Sequence, residues 1–315
     1  MVKLDIISGF LGAGKTTFIN KLLSDGYDIE GTVLIENEFG DVSVDGELIQ
    51  STIEMVELTS GCICCTLQGD FIQGIRRVVE KFQPRRILIE PTGAANLKDV
   101  LTACEKAALH ADVEINSIVT IANAQTLPAL LEIGGEFFVQ QLQMAKLLVM
   151  SGTQLLNAED LNACRKKVET LNLEAVIHWE PWTEISAMAL LSEAELLYQM
   201  GKGENSPVVK GYEKIRIPKA GLKIHKDHFV SMAIYPKRVF TEEEIYRILD
   251  SWKDQSFGEI FRGKGFLKTA SKMVRAEYVL GAAVEIAESN YNKQPVFIII
   301  GQSLDEKKIR LAFDA

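Results

Sequence analysis

At 315 residues the chain has room for one large domain or a larger and a smaller one, and 47% hydrophobic with 24% charged residues is an ordinary globular composition. Asp and Glu total 43 against 34 Lys and Arg, a net charge of −9; with no basic excess to neutralise phosphates, neither nucleic acid nor a membrane surface is expected as a partner. Five cysteines, three of them crowded together, point to a reducing compartment; Met1 leads straight into a strand and the apolar runs are too short for a bilayer, so the expectation is a cytoplasmic chain without a signal peptide.

The first predicted element is a strand over the apolar run Val2 to Ile7. Ser8 to Thr17 then reads S-G-F-L-G-A-G-K-T-T, which holds G-x-x-x-x-G-K-[ST] with Gly9, Gly14, Lys15 and Thr16 in the fixed positions. Phe18, Ile19, Leu22 and Leu23 recur at helical spacing, so strand, loop and helix follow in the order the pattern requires. The glycines let the backbone curl until successive N–H groups point at phosphate oxygens, and the new helix adds its positive end. Gly12, Ala13, Gly14, Lys15, Thr16 and Thr17 are the candidate phosphate contacts. Lys15 is expected to reach the β- and γ-phosphates, with the Thr16 hydroxyl on Mg2+. A chance Gly-rich turn is the bland alternative, and it leaves pattern and position to coincidence.

Thr32 to Ile35 reads as a second strand, followed by Glu36-Asn37-Glu38-Phe39-Gly40-Asp41, an acidic segment too polar for a core. Asp45-Gly46 marks a turn, Ile53 to Leu58 another strand, and Leu67 to Phe82 a helix carried by Phe71, Ile72, Ile75, Val78 and Val79. Arg86 to Glu90, R-I-L-I-E, is a buried-type strand ending in a carboxylate. That is where a magnesium-shell acid belongs, and Gly93 falls where a γ-phosphate-sensing loop would begin. Ser117 to Ala122 and Ala145 to Met150 are further strands. The alternation predicts an α/β P-loop NTPase domain with a mainly parallel sheet over residues 1–200. A Gly-rich linker is expected over residues 201–212 and a small α+β domain over 213–315. Within that domain Phe229 to Tyr235 reads as a strand and Thr241 to Trp252 as a helix with Thr241 as N-cap. Val296 to Ile300 reads as a strand and a last helix starts near Asp305.

Gly61-Cys62-Ile63-Cys64-Cys65 is the second candidate site. The three thiols converge on one ion only if the chain turns after Cys64, and thiolates favour zinc, Cu(I) or cobalt. Three thiolates leave a tetrahedral site one ligand short, which suits a site that loads and releases an ion. Glu38 and His110 are candidates for the remaining ligand. Partly buried thiols, or a redox-sensing pair, are the alternative. Cys104 and Cys164 read as small hydrophobes on helix faces.

G-F-L-G-A-G-K-T-T, N-E-F-G with Asp45 after it, G-C-I-C-C and I-L-I-E-P-T-G together resemble the CobW family, P-loop GTPases related to the urease and hydrogenase nickel-insertion GTPases. F-R-G-K-G-F at Phe261 to Phe266 and the ending F-I-I-I-G-Q-S-L-D-E extend the resemblance over nearly the whole chain. It implies a GTP- and Mg2+-dependent enzyme. Lys15, Glu90 and Glu38 would be its catalytic residues, with Thr16 and Glu90 on magnesium and zinc or cobalt on Cys62, Cys64 and Cys65. The partners implied are a client metalloprotein or a corrinoid-pathway protein, with a homodimer an open option. An attacking water or the magnesium ion could equally be met by Asp41 or Asp45.

One departure bears on the fuel. Guanine-specific relatives carry N-K-x-D after the strand that ends at Met150, where this chain has Ser151-Gly152-Thr153-Gln154. Bonds from guanine to that Asp are worth about 1.5–3 kcal/mol each, so losing both removes roughly 10²- to 10⁴-fold of base discrimination. Gln154 offers only a neutral carbonyl, so ATP or loose purine selectivity is the alternative to GTP. In that reading the chain is a base-unselective NTPase activator with its cysteines as a redox switch. Asn123 stands where relatives often have Asp, and with four histidines the chain is no bulk metal store. Arg262 and Lys264 either reach toward phosphate or are solvated surface charges, the second being the more ordinary expectation.

Overall fold

The computed structural model describes residues 1–36, 53–57, 68–133, 135–172, 174–201 and 229–314. These fall into two compact units, one ending in the helix that closes at Gly201 and the other starting at Phe229. The predicted linker, apart from Gly201, and the predicted start of the second domain lie outside the described residues.

In the first unit, β1 (Val2–Gly9), β2 (Thr32–Glu36), β3 (Glu54–Glu57), β4 (Arg86–Glu90), β5 (Val113–Asn123), β6 (Leu147–Ser151) and β7 (Val176–His178) form one sheet in the order β3-β2-β4-β1-β5-β6-β7. Every pairing is parallel. The helices are α1 (Lys15–Ser24), α2 (Gln68–Phe82), α3 (Leu97–Ala108), α4 (Leu127–Ile133), α5 (Gly135–Met144), α6 (Ala158–Leu171) and α7 (Ala187–Met200). A parallel sheet covered on both faces needs strands that are apolar at every position, and β4 shows why. Ile87 and Ile89 pack with Ile75, Val78, Val100 and Leu101 of α2 and α3. Leu88 between them packs with Phe18, Leu22, Leu190 and Leu191 of α1 and α7. The doubly covered sheet puts the βα loops at the carboxyl ends of the strands, where α/β proteins bind ligands.

β5 begins at Val113, ahead of the predicted Ser117, because a bulge divides it. Leu4 faces Ile115 but Asp5 faces Ser117, so Asn116 is an extra residue. β7, three residues long, was not predicted.

The second unit is an antiparallel sheet of β8 (Val230–Ile234), β9 (Glu259–Lys268), β10 (Met273–Val279), β11 (Glu285–Ser289) and β12 (Val296–Gln302), in the order β11-β10-β9-β12-β8. Helices α8 (Glu242–Asp250) and α9 (Glu306–Phe313) cover one face. Ile245, Leu249, Ile309 and Phe313 meet Ile234, Val274, Ala276 and Phe297 around a buried Trp252. Arg262 and Lys264 are not the solvated charges expected. Lys264 is 5% exposed, and the Arg262 guanidinium pairs with Glu277 on the neighbouring strand at 3.0 Å. Among the described residues no helix is long and apolar enough to cross a membrane.

Candidate nucleotide site

β1 delivers the loop Phe10 to Gly14 to the carboxyl edge of the sheet. Gly12 and Gly14 adopt φ of 71° and 100°, the left-handed region that side chains rarely tolerate, and so the chain reverses within a few residues. Gly14 is the N-cap of α1, and no side chain caps that end. The start of α1 thus presents its positive end with no cap from its N-cap side chain, and no acid in that turn opposes an anion. The loop carbonyls are held from outside. Lys15 Nζ donates to the Phe10 carbonyl at 3.3 Å, Asn123 Nδ2 to that of Gly12 at 3.5 Å, and Ser151 Oγ to that of Ala13 at 2.6 Å. Carbonyls fixed this way leave the N–H groups to turn inward.

Across the loop, the Thr16 hydroxyl donates to Glu90 Oε1 at 3.0 Å, with Oε2 at 3.3 Å. Glu90 is 5% exposed at the end of β4. A hydroxyl and a carboxylate meeting beside an anion cradle are the oxygen donors a magnesium ion takes. Gly93 follows, its Cα against the phosphate loop: a Cβ there would stand 2.5 Å from the Leu11 nitrogen and 2.8 Å from the Phe10 carbonyl carbon. The predicted sensing loop and the phosphate loop are in backbone contact. Two family models match the chain: residues 3–178 match "CobW/HypB/UreG, nucleotide-binding domain", and residues 229–315 match "Cobalamin synthesis protein cobW C-terminal domain".

The chain belongs to the CobW/HypB/UreG family.

Curated relatives include the zinc chaperone CobW of Sinorhizobium sp, 32% identical over 194 residues covering 52% of this chain and 54% of the relative. Another is the zinc chaperone YeiR of Escherichia coli K12, 29% identical over 167 residues, 53% of this chain and 51% of the relative. A third is the zinc-regulated GTPase metalloprotein activator 1 of Schizosaccharomyces pombe, 30% identical over 188 residues, 56% and 45% of the two chains. The chain thus spans about half the length of the curated relatives it matches.

Of the predicted CobW-type site residues, the structure brings together Gly12, Ala13, Gly14, Lys15, Thr16, Glu90 and Gly93. Thr17 is exposed on the first turn of α1, and Gln154 is exposed on a 3-10 turn after β6. Glu38, Cys62, Cys64 and Cys65 lie outside the described residues, as do Asp41 and Asp45. Among the described residues no group of three or more His, Cys, Asp or Glu is arranged to hold a metal. His110, offered as an extra ligand, is exposed just before β5 starts, at the opposite edge of the sheet from the phosphate loop. Cys104 and Cys164 are buried thiols. Burial pushes both pKa values up, that of Cys164 to about 11, so they stay protonated hydrophobes.

Two residues escaped the sequence reading. Glu36 closes β2 at 2% exposure and stands in register beside Glu90, although its neighbourhood reads as solvent-facing. Its signal is weak: one residue beyond a four-residue apolar run. Trp182, in the loop between β7 and α7, packs against Gly14 and edge-on against Phe18, with ring centroids 5.7 Å apart. Its indole N–H donates to the Met150 carbonyl at 3.2 Å. A separation of 168 positions between Gly14 and Trp182 hides that contact from any local pattern.

Proposed function

We propose that this chain is a nucleoside triphosphatase, with GTP the nucleotide expected from its family and ATP the alternative. It would couple hydrolysis to binding a transition metal, zinc or cobalt, and delivering it to a client protein or a corrinoid pathway. The observation that carries the nucleotide half is the Thr16–Glu90 bond of 3.0 Å set beside an uncapped helix start and a buried lysine. In this reading Lys15 leaves the Phe10 carbonyl for the terminal phosphates. The backbone N–H groups of Gly12 and of Gly14 to Thr16 cradle the remaining oxygens, with that of Ala13 to be released from the Phe10 carbonyl, and Gly93 sets the distance of the following loop from the γ-phosphate. Thr16 and Glu90 would hold magnesium, which when bound neutralises charge building on the phosphate oxygens. Glu38 would orient the attacking water.

The metal half is supported by the Cys62-Ile63-Cys64-Cys65 spacing and by relatives named as zinc chaperones. The cysteines lie in sequence between the phosphate loop and Glu90. Segments there tighten on a γ-phosphate and loosen after its loss in P-loop switches. If nucleotide changes metal affinity, metal changes nucleotide affinity by the same factor. The test is Zn2+ affinity of the full chain with and without a non-hydrolysable GTP analogue. A change of about fivefold or more is expected, and equal affinities would remove the coupling. Phosphate release no faster from the wild type than from Lys15→Ala would sink the enzymatic half.

A further inference from the structure

The arrangement around the phosphate loop also fixes where the nucleoside must lie. Thr16, Glu90 and Gly93 sit on the β4–β2 side of β1, and a magnesium ion held by Thr16 and Glu90 would draw the terminal phosphates to that side. The terminal phosphate therefore points toward β4. The sugar and base trail in the opposite direction, over the ends of β5, β6 and β7.

The polar side chains at the ends of β5 and β6 are already committed. Asn123 donates to the Gly12 carbonyl and accepts from the Gln125 N–H at 2.9 Å. The Ser151 hydroxyl is held by Ala13. Gly152, at φ 69°, has no side chain, and Thr153 is 4% exposed. Gln154 is neutral. Among the described residues no carboxylate stands at the end of β5 or β6 to accept the N1–H and 2-amino protons that distinguish guanine from adenine. In the loop after β7, Glu180 is held by the Trp179 N–H at 3.0 Å and by His178 at 3.5 Å.

What this side does offer is an indole. Trp182 is half-buried and fixed in place by the Met150 carbonyl, the Phe18 ring and the Gly14 backbone, where a Cβ would stand 3.2 Å from its ring. An aromatic plate next to the last glycine of the cradle takes any base by its π-face, because stacking does not read hydrogen-bond donors. We propose that Trp182 is the nucleobase platform of this site, and that the site accepts guanine and adenine nucleoside triphosphates with little discrimination. The proposal rests on the nucleotide-site reading above.

Calorimetric titration of the full chain with GTPγS and ATPγS in the presence of Mg2+ tests it. The two affinities are expected within about tenfold of each other, and Trp182→Ala is expected to weaken both in parallel by about tenfold. Because Trp182 also packs on α1, circular dichroism checks that variant. Trp182→Phe, which keeps an aromatic face, should retain most of the affinity for both. Gln154→Asp, on an exposed turn, should move the ratio toward GTPγS by about tenfold or more by restoring a charged acceptor. A wild-type preference above about a hundredfold, a folded Trp182→Ala that binds as the wild type does, or a Gln154→Asp ratio unchanged would each overturn the assignment. So would a selective loss of GTPγS in Glu184→Gln, which would make that exposed acid the reader of the base. A wild type that binds neither analogue would instead remove the nucleotide-site reading, and this proposal with it.

Discussion

At the scale of single residues, Gly93 shows how closely the site is assembled. The atoms its Cβ would meet, the Leu11 nitrogen and Cα at 2.5 and 2.7 Å, belong to backbone and cannot swing aside. Gly93→Ala must therefore push one loop off the other. A displacement of about 1 Å next to the proposed phosphate site is enough to lower turnover on the order of 10²-fold. The measurement is steady-state phosphate release, with circular dichroism showing that the sheet is intact; turnover within a few-fold of wild type would mean the two loops need not touch. Much of this site could be read from the residues in order. Lys15 and Thr16 follow, and Glu90 ends, a strand whose apolar run is unmistakable, so their placement at one edge follows from the parallel alternation. Glu36 could not be read that way. Its burial depends on β2 running one residue further to pair with the last residue of β4, a register that only the folded sheet decides.

At the scale of elements, the same limit appears in the polar network that joins β1, β4, β5 and α7 toward the amino ends of the strands. Asp5 is fully buried in β1 and accepts from Tyr27 Oη at 2.8 Å, Asn116 Nδ2 at 2.7 Å and Ser117 Oγ at 2.7 Å. The Arg86 guanidinium pairs with it at 3.3 Å and reaches Glu195 of α7 at 3.5 Å. The bulge in β5 is what lets two consecutive residues, Asn116 and Ser117, bond the same carboxylate oxygen. Burial, and next the Asp5 carboxylate, push the Tyr27 phenol well above its usual range, so it acts as a donor throughout the working pH range. Asp5→Ala would leave Tyr27, Asn116 and Ser117 without their buried acceptor and the guanidinium with Glu195 as its remaining carboxylate, and breaking a buried pair from one side costs about 3–5 kcal/mol. Urea unfolding of Asp5→Ala, Arg86→Met and the double variant measures this, and the double should cost less than the sum of the singles. Additive losses would mean the two groups act separately. An alternating hydrophobic pattern cannot announce such a network, because an aspartate in the middle of V-K-L-D-I-I looks like an interruption of the strand. The N-terminus of α8 was legible for the opposite reason. Thr241 and Glu244 exchange hydrogen bonds with each other's backbone at 3.1 and 2.8 Å, a capping box contained within four residues of sequence.

At the scale of the whole molecule, acid sensitivity should not be spread evenly over an acidic chain of net charge −9. Among the described residues most carboxylates are exposed and contribute little when they titrate. Glu277 in β10 is different. Burial alone would raise its pKa, but Arg262 and then Lys264 on the neighbouring strand outweigh that and hold it below the ordinary glutamate value. The folded second unit therefore takes up the Glu277 proton less readily than the unfolded chain does. The stability this supplies is complete above the ordinary glutamate pKa of about 4.3, and it is lost as the pH falls through that value and then through the depressed one. Glu277→Gln keeps the shape and removes the titration. It should be less stable than the wild type near neutrality, because the buried Lys264 and the partly buried Arg262 lose a counter-charge, yet its stability should fall less steeply between about pH 5 and pH 3. Calorimetric unfolding of both proteins across that range decides the matter. The two curves should converge as the pH drops; if they stay parallel, the β9–β10 ion pair does not set the acid limit of this unit, and Lys264 and Arg262 must be balanced by other groups.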